Sequence, residues 1–371
     1  MLRKDLLSKC QELGLINYKS KNKSQLIKLI VESNANKIII LTNDFNENTL
    51  NLNKNLKLID LFAGTGAFSY VFNKTNRINT ILANDILDSS EEIYNLNHRI
   101  YNINLKKKDI LLLEDNELPK TDIITAGFSC QPFSIAGNRK GFDDIRSNVF
   151  WKILDIIKIT DPKIIILENV KNLQSHDDGK TFKIIIDSLK DCNYHIKYSI
   201  LNTSKITEIP QNRERIYIIC FKEKEMCDKF DFNFLKKENK CIKDFLENEI
   251  PLKYYYNNSY KIYDELQKNV IKNIDSNTIY QYRRYYVREN KNNVCPTLTA
   301  NMGGGGHNVP ILLDYKGIRK LTPRECFNLQ GFPKDYELPN ISDSKLYSLA
   351  GNSVSIPIIE LICNKLLEIY N

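Results

Sequence analysis

A cysteine that follows a short apolar run is the first feature whose residue types suggest chemistry. Residues 121–126 (TDIITA) predict a buried strand that ends at Gly127, and Cys130 follows in the segment GFSCQPFS. Open α/β sheets place ligands and reacting groups just beyond the carboxyl ends of their strands. A free thiol is more often a small core residue, so its position alone leaves both interpretations open.

A carboxylate is expected beside that cysteine. Residues 163–167 (KIIIL) predict another strand, and this strand ends in Glu168. Because Glu168 terminates an apolar run, we expect it at the carboxyl edge of the sheet, near Cys130. Two arginines, Arg213 and Arg215, precede a further predicted strand at 216–221.

A glycine-containing turn is predicted to approach a ligand. Gly64 and Gly66 stand between a predicted strand at 56–62 and a helix, where glycine lets the backbone come close and helix amides face the ligand. Asp85 ends the next predicted strand, about 20 residues on, the spacing at which a carboxylate can accept both ribose hydroxyls. Ser69 stands at the third position of a dinucleotide fingerprint. The pattern therefore favours a nucleoside-containing cofactor over a dinucleotide.

A second acid follows a third short strand. Asp109 could accept from an adenine amino group, and Ile110 could cover the adenine face. An ordinary helix or turn start fits these two residues as well.

Composition limits the function classes. The chain has 371 residues, 42% of them hydrophobic, and a net charge of +8, which favours a polyanionic partner. Its nine cysteines and four histidines are scattered without a CxxC pair, so we expect neither a metal site nor a disulfide framework. No 18-residue apolar run and no signal peptide are found, so an intracellular, reducing compartment without membrane contact is expected.

Strands and helices alternate along the middle of the chain. The pattern predicts an α/β fold with a doubly wound, mostly parallel sheet. We expect this domain at 56–222, a smaller irregular domain at 223–318, and a return to the first domain at 319–371. Arg283 and Arg284 are interleaved with tyrosines, which suits phosphate and base contacts but also ordinary strand surface.

The first 37 residues predict a separate helical module. Two short amphipathic helices flank a basic link, and the segment carries eight Lys and Arg against three Asp and Glu. It resembles the SAP-type DNA-binding module, although a solvated helical hairpin packed on the main domain fits too. Residues 38–55 read as a polar linker.

The order of the motifs resembles that of DNA cytosine-5 methyltransferases over about residues 56–371. The matching segments are DLFAGTG at 60–66, GFSCQ at 127–131, ENV at 168–170, QNRER at 211–215, LTPRE at 321–325 with QGFP at 330–333, and GNSV at 351–354.

The resemblance implies a class I, Rossmann-like domain that uses S-adenosyl-L-methionine and releases S-adenosyl-L-homocysteine, with duplex DNA in the cleft beside a recognition domain. It implies Cys130 as nucleophile, Glu168 as partner of the cytosine ring, and Arg213 and Arg215 at the base and the neighbouring phosphate. The cofactor residues it implies are Phe62, Gly64, Thr65, Gly66, Asp85, Ile86, Asp109, Ile110, Asn352 and Ser353. The DNA-binding residues that we predict are Gln131, Ser134, Arg146, Arg283, Arg284, Thr297 and Leu298.

Two positions depart from the family pattern. Ser129 stands where proline usually precedes the cysteine, so the stiffness that proline gives that loop is in question. Asp85 and Ile86 replace the usual glutamate and aromatic residue, so we expect a shorter carboxylate and a smaller adenine cover.

Several alternatives stay open at this point. A tRNA cytosine-5 methyltransferase shares the catalytic motifs but should have a smaller insert before Arg319. A catalytically inactive DNA-binding regulator would not need Cys130, Glu168 and Arg213. An NAD dehydrogenase explains the glycine turn and Asp85 only. We expect a monomer in a bacterial, phage or viral-host cytoplasm, with a cognate restriction endonuclease as a partner to be tested.

Overall fold

A computed structural model describes residues 55–128, 148–270, 278–283, 286–304 and 309–370, together with Asn22 and Leu26. The chain divides into two units, Met1–Lys54 and Asn55–Asn371. In the first unit, Leu26 is helical and buried, and its amide donates to the Asn22 carbonyl at 3.0 Å. The rest of the predicted module at 1–37, and the linker at 38–54, lie outside the described residues.

A seven-stranded sheet forms the centre of the second unit. Its strands are β1 (Leu56–Leu61), β2 (Ile78–Asp85), β3 (Leu105–Lys107), β4 (Ile123–Gly127), β5 (Ile164–Val170), β6 (His195–Asn202) and β7 (Glu214–Phe221). The spatial order is β3-β2-β1-β4-β5-β7-β6, and β7 runs antiparallel to both of its neighbours while the other pairs are parallel. The prediction of a mostly parallel sheet is confirmed.

Helices cover both faces of this sheet because its central strands are apolar on both sides. The helices before the second sheet are α1 (Ala67–Lys74), α2 (Asp88–His98), α3 (Asn148–Thr160), α4 (Lys180–Asp191), α5 (Thr203–Ile206) and α6 (Lys224–Lys229). One core cluster joins Leu58 and Ile123 to Phe72 of α1. The other joins Ile124 and Ile165 to Ile153 of α3. The fold is therefore doubly wound, as predicted.

A second sheet occupies the region that was expected to be irregular. Its strands are β8 (Tyr280–Arg283), β9 (Tyr286–Glu289), β10 (Ile311–Asp314) and β11 (Gly317–Lys320), paired antiparallel in the order β11-β10-β8-β9. With helix α7 (Tyr263–Val270) it encloses a small core of its own. The alternating tyrosines are the reason, since Tyr280 and Tyr282 point into that core.

The chain between the two sheets packs on the larger one. Phe230, Ile242 and Tyr254 belong to the same core cluster as Phe221 of β7. The smaller core therefore begins after Tyr254, whereas the predicted domain division at 222/223 follows the change in sequence pattern and stays a prediction.

The last segment returns to the larger sheet as α8 (Pro323–Leu329), α9 (Asp343–Asn352) and α10 (Ile356–Tyr370). Thr322 and Glu325 form a capping box at the start of α8. Among the described residues, one helical stretch, Asp343–Tyr370, is long and apolar enough to cross a membrane, with a mean hydropathy of 1.4. Of its most apolar window, 72% is buried inside the protein, as expected for core helices.

Candidate functional site

A cavity of about 650 Å³ opens at the carboxyl edge of the central sheet. The ends of β1, β2, β4 and β5 meet there with the end of α9. The predicted site residues that line it are Phe62, Gly64, Thr65, Asp85, Ile86, Glu168, Arg213, Arg215, Asn352 and Ser353. The structure thus brings most of the predicted cofactor residues and the charged catalytic candidates to one place.

The turn after β1 is strained backbone that is held by the end of β2. Phe62, Gly64 and Gly66 have φ values of 55°, 55° and 71°. One carboxylate oxygen of Asp85 accepts from the Gly64 amide at 2.9 Å, and the other accepts from the Leu87 amide at 3.0 Å. Asp85 therefore fixes the turn while lining the same cavity.

Two aromatic rings support the turn from beneath. Tyr94 and His98 of α2 are stacked, with ring centroids 3.9 Å apart. A Cβ atom at Gly66 would lie 2.4 Å from Cε1 of His98 and 2.7 Å from the Tyr94 ring. Burial lowers the pKa of His98 to about 4, so this ring is neutral at pH 7. Gly66 is required here by packing as well as by its φ.

A buried carboxyl group lies under the same turn. Asp60 accepts from the Ser69 hydroxyl at 2.7 Å, from the Ser69 amide at 3.2 Å and from the Thr125 hydroxyl at 2.8 Å. Tyr94 donates to the Ser69 hydroxyl at 3.0 Å. Burial raises the pKa of Asp60 to about 6, against the lowering effect of these hydrogen bonds. Sequence reasoning missed Asp60, although its place inside a predicted strand marked it as a buried acid.

The last motif closes the turn from the opposite side. The hydroxyl groups of Thr65 and Ser353 are 2.9 Å apart, and Tyr336 donates to the Thr65 carbonyl. Asn352 is the final residue of α9 and also lines the cavity.

Asp109 and Ile110 have surroundings that differ from those of the other predicted cofactor residues. The Asp109 carboxylate accepts from the Leu111 amide at 3.0 Å and caps a short 3-10 helix, Ile110–Leu112. Ile110 is buried in one of the two main core clusters. Neither residue lines the cavity. These contacts match the turn-start alternative, and the predicted adenine contacts stay a prediction.

Glu168 lies beside the strand end that leads to Cys130. It pairs with Gly127 in the sheet register, and a Cβ atom at Gly127 would be 3.5 Å from its Oε2. The next residue, Asn169, donates to the Phe128 carbonyl at 2.8 Å. The carboxyl group of Glu168 is therefore placed over the start of the segment that carries the cysteine.

Arg215 is the charged partner of Glu168. Its Nε lies 3.2 Å from Oε1 of the carboxyl group, and both side chains are largely buried. Burial raises the pKa of Glu168, although the charges of Arg215 and Arg213 act to lower it. The site therefore favours a protonated carboxyl group more than water does.

The contacts of Arg213 differ from the predicted contact with the target base. Its terminal nitrogens donate to the carbonyls of Leu298 at 3.0 Å, Gly351 at 3.2 Å and Ser353 at 2.5 Å. The residue is buried and joins β7 to the 298 segment and to the last motif. Its terminal nitrogens are thus engaged with backbone, and Arg215 is the arginine that faces the carboxyl group.

Other predicted residues separate into three groups. Cys130, Gln131, Ser134, Arg146 and Arg284 lie outside the described residues. The Thr297 hydroxyl donates to the Asn212 carbonyl at 2.6 Å. The Leu298 side chain is fully buried in the core, and its predicted DNA contact stays a prediction.

A second cavity, also of about 650 Å³, lies between the β8–β9 hairpin and the chain that precedes β7. Arg283, whose nucleic-acid contact stays a prediction, lines it together with Gln281 and Arg288, which sequence reasoning did not single out. Strand alternation was the signal that could have found Gln281, since it stands two residues from Arg283.

Metal ligands and disulfides are not part of the described structure. Among the described residues no group of three His, Cys, Asp or Glu side chains could hold a metal ion. The cysteines in the described ranges are free: Cys192, Cys220, Cys227, Cys241, Cys295, Cys326 and Cys363.

Comparison with known proteins identifies the same family that the motifs suggest. The model of the C-5 cytosine-specific DNA methylase family matches residues 56–368. The chain is 44% identical over 320 residues to the Type II methyltransferase M.Bsp6I of Bacillus sp. (strain RFL6), covering 84% of this chain and 98% of that protein. It is 33% identical over 343 residues to the Type II methyltransferase M.HpaII of Haemophilus parainfluenzae, covering 87% and 92% of the two chains.

Solved structures agree on the fold. The crystal structure of S. pombe Dnmt2 methyltransferase matches with a TM-score of 0.65 and 26% identity, over 85% of this chain and 99% of that one. A putative DNA modification methyltransferase from an E. coli prophage matches with a TM-score of 0.63 and 19% identity, over 85% and 99% of the two chains, which supports the fold alone.

Proposed function

We propose, from the premise that this chain belongs to the family of C-5 cytosine-specific DNA methylases, that it methylates carbon 5 of cytosine within a specific duplex DNA sequence. One structural observation carries the proposal beyond family membership. The strained glycine turn and the buried Glu168–Arg215 pair line the same cavity. A methyl donor held by the turn would therefore meet a base held by the pair.

The residues around the turn suit S-adenosyl-L-methionine. Each Asp85 oxygen accepts one backbone amide and keeps a lone pair, so the carboxylate can still accept ribose hydroxyls. Ile86 and Leu87 line the cavity with apolar side chains that are 59% and 48% exposed, and an adenine ring could cover them. When bound, this cofactor supplies a methyl group on a sulfonium centre.

Cys130 acts as the nucleophile. Its thiolate adds to carbon 6 of cytosine, which breaks the aromaticity of the ring and makes carbon 5 able to accept a methyl group. Loss of the carbon-5 proton then restores the ring and releases the thiol. Asn169 donates a hydrogen bond to the carbonyl of Phe128, which stands two residues before the cysteine. This contact supports the proposed position of Cys130.

Glu168 stabilises the ring while the thiol is attached. Addition places negative charge on the base, and a protonated Glu168 donates to ring nitrogen 3. The raised pKa of this buried carboxyl group supports that role. Arg215 supplies the positive charge near the ring, because the terminal nitrogens of Arg213 already bind carbonyls.

The target base leaves the duplex before it reacts. Flipping costs roughly a few kcal/mol, and we propose Gln131, Ser134 and Arg146 as DNA-binding residues. The polar cavity beside the β8–β9 hairpin accommodates the flanking DNA.

The curated relatives of this chain carry the name Type II methyltransferase and come from bacteria. We therefore propose a cytoplasmic monomer whose partner is a restriction endonuclease that cuts the same site.

The decisive experiment measures transfer of a labelled methyl group from S-adenosyl-L-methionine to duplex DNA and, in parallel, to tRNA. We expect transfer to carbon 5 of cytosine in DNA, and bisulfite sequencing then gives the recognised sequence. Cys130→Ala should abolish transfer while DNA binding persists. Continued methylation by this variant, or transfer to tRNA alone, would overturn the proposal.

A further inference from the structure

The β8–β9 hairpin presents two chemically different faces. Cross-strand partners share a face, and the register pairs Gln281 with Arg288 and Tyr282 with Val287. Tyr282 and Val287 pack against the small core of the second sheet. Gln281, Arg283 and Arg288 therefore lie on the opposite face, where all three line the polar cavity.

One amide oxygen holds two guanidinium groups on that face. Oε1 of Gln281 accepts from Nη2 of Arg288 at 2.8 Å and from Nη2 of Arg283 at 3.1 Å. Nη2 of Arg288 also lies 3.4 Å from Oδ1 of Asn290. Each guanidinium has five N–H donors, and the contacts shown among the described residues use Nη2 alone. One amide oxygen thus orients two planar donor groups on the wall of the cavity.

The opposite wall of the cavity is fixed to the catalytic domain. Asn212 donates its amide to the Cys295 carbonyl at 2.8 Å and accepts from Thr297 through its own carbonyl. Arg213, the next residue, lines the catalytic cavity. A duplex that enters the polar cavity therefore lies next to the pocket that would hold the flipped base.

We propose that Arg283 and Arg288, oriented by Gln281, read guanine through the major groove, so that the recognised sequence contains a guanine outside the methylated base pair. This inference rests on the proposed function, and it names the chemistry by which the substrate sequence is chosen. A two-stranded β-ribbon fits the major groove, and the planar arginine fork matches the O6 and N7 acceptors of guanine. A glutamine whose oxygen is already occupied by arginines cannot make the bidentate contact that would read adenine.

A phosphate contact is the competing role for the same arginines, and the two roles respond differently to substitution. Loss of a phosphate contact lowers the affinity equally for all sequences and reduces the salt dependence of binding. Loss of a base contact instead removes the preference for one base at a single position of the recognised sequence. Arg288→Lys separates them further, because lysine keeps the charge that a phosphate needs but loses the planar fork.

The test selects bound duplexes from a random pool with the full wild-type chain, so that it does not depend on methyl transfer. Each guanine of the selected sequence is then replaced in turn by 7-deazaguanine, which lacks the N7 acceptor but pairs normally. Affinities are measured for the wild type, Arg283→Ala, Arg288→Ala and Arg288→Lys. Lys183→Ala, an exposed charge loss on α4 outside both cavities, is the matched control.

We expect one 7-deazaguanine substitution to weaken wild-type binding on the order of 10-fold or more, within the discrimination typical of one bidentate pair. At each sensitive guanine, the substitution should have no further effect on the alanine variant of the arginine that reads it. Arg288→Lys should behave like Arg288→Ala. A selected sequence with no sensitive guanine, equal loss of affinity for every duplex, or full rescue by Arg288→Lys would overturn the inference. Selective binding without any methyl transfer would instead contradict the proposed function.

Discussion

Opposing influences act on the Glu168 carboxyl group, and their balance decides its chemistry. Burial raises its pKa, and the neighbouring charges of Arg215 and Arg213 lower it. The net effect is a raised pKa, even though Arg215 lies 3.2 Å away. A raised pKa favours the protonated form, which can donate a proton to a base, more than the surroundings of an ordinary surface glutamate do.

Glu168→Gln should lower methyl transfer by roughly 10²- to 10⁴-fold, because the amide cannot transfer a proton to the ring. Binding of S-adenosyl-L-methionine should change little, since the proposed cofactor contacts lie at the other side of the cavity. Single-turnover transfer and calorimetric titration measure the two effects separately. Glu337→Gln, which breaks an exposed pair with Arg99, is the control, and equal activity of both variants would remove Glu168 from the mechanism.

Asp60 should make stability depend on pH in an unusual direction. Its pKa is about 6 in the folded protein and about 3.9 when unfolded. Between these values the folded protein holds a proton that the unfolded chain has lost, so stability falls as pH rises from about 4 to above 6. The free energy of unfolding would fall by on the order of 3 kcal/mol across this whole pH range.

Asp60→Asn should remove this dependence while keeping the side-chain shape. Relative to the wild type, the variant should gain stability as pH rises through the same window. Urea unfolding of both proteins at pH 4.5, 6 and 7.5 measures the difference. Parallel stability curves would show that Asp60 does not titrate in this range.

At the scale of elements, the site is built from one strained turn and the elements that hold it. Asp85 at the end of β2 binds the Gly64 amide, and Ser353 after α9 contacts Thr65. Helix α2 places Tyr94 and His98 directly under Gly66. The turn therefore keeps its left-handed backbone conformation because β2, α2 and the residue after α9 all contact it.

Gly66→Ala should weaken binding of S-adenosyl-L-methionine by at least 10-fold, because the new Cβ would overlap His98 and Tyr94 and move the turn. Equilibrium titration with the cofactor measures the change. Gly179→Ala is a matched control: its φ is also positive, at +82°, but its nearest neighbour is 3.6 Å away. If both variants bind the cofactor equally, the aromatic support does not shape the turn.

At the scale of the whole described unit, one buried ionic cluster connects the second sheet to helix α8. Arg319 of β11 binds Asp314 of β10 at 2.6 Å and Glu325 of α8 twice at 2.8 Å. Glu325 also accepts from the Glu247 amide at 3.0 Å. This cluster holds β10 and β11 to α8, and β10 pairs with β8 of the hairpin that carries Arg283 and Arg288.

Arg319→Met should destabilise the protein by about 3–5 kcal/mol, because it leaves buried carboxylates without a positive partner. Arg99→Met, which breaks a 2.6 Å pair between exposed side chains, should cost less than about 1 kcal/mol. Urea unfolding compares the two variants with the wild type. Similar small effects would mean that the buried cluster contributes no net stability.

The sequence by itself determined the family, the order of the catalytic motifs and the parallel sheet, because these depend on local runs such as 163–168 and on the glycine turn. Tertiary structure alone decided which arginine faces Glu168, since Arg213 and Arg215 stand two residues apart in the same motif and differ in what packs around them. It likewise assigned Asp109 to a helix cap and Leu298 to the core. These outcomes depend on contacts between residues far apart in the chain, such as Arg213 with Ser353, and no local pattern specifies such contacts.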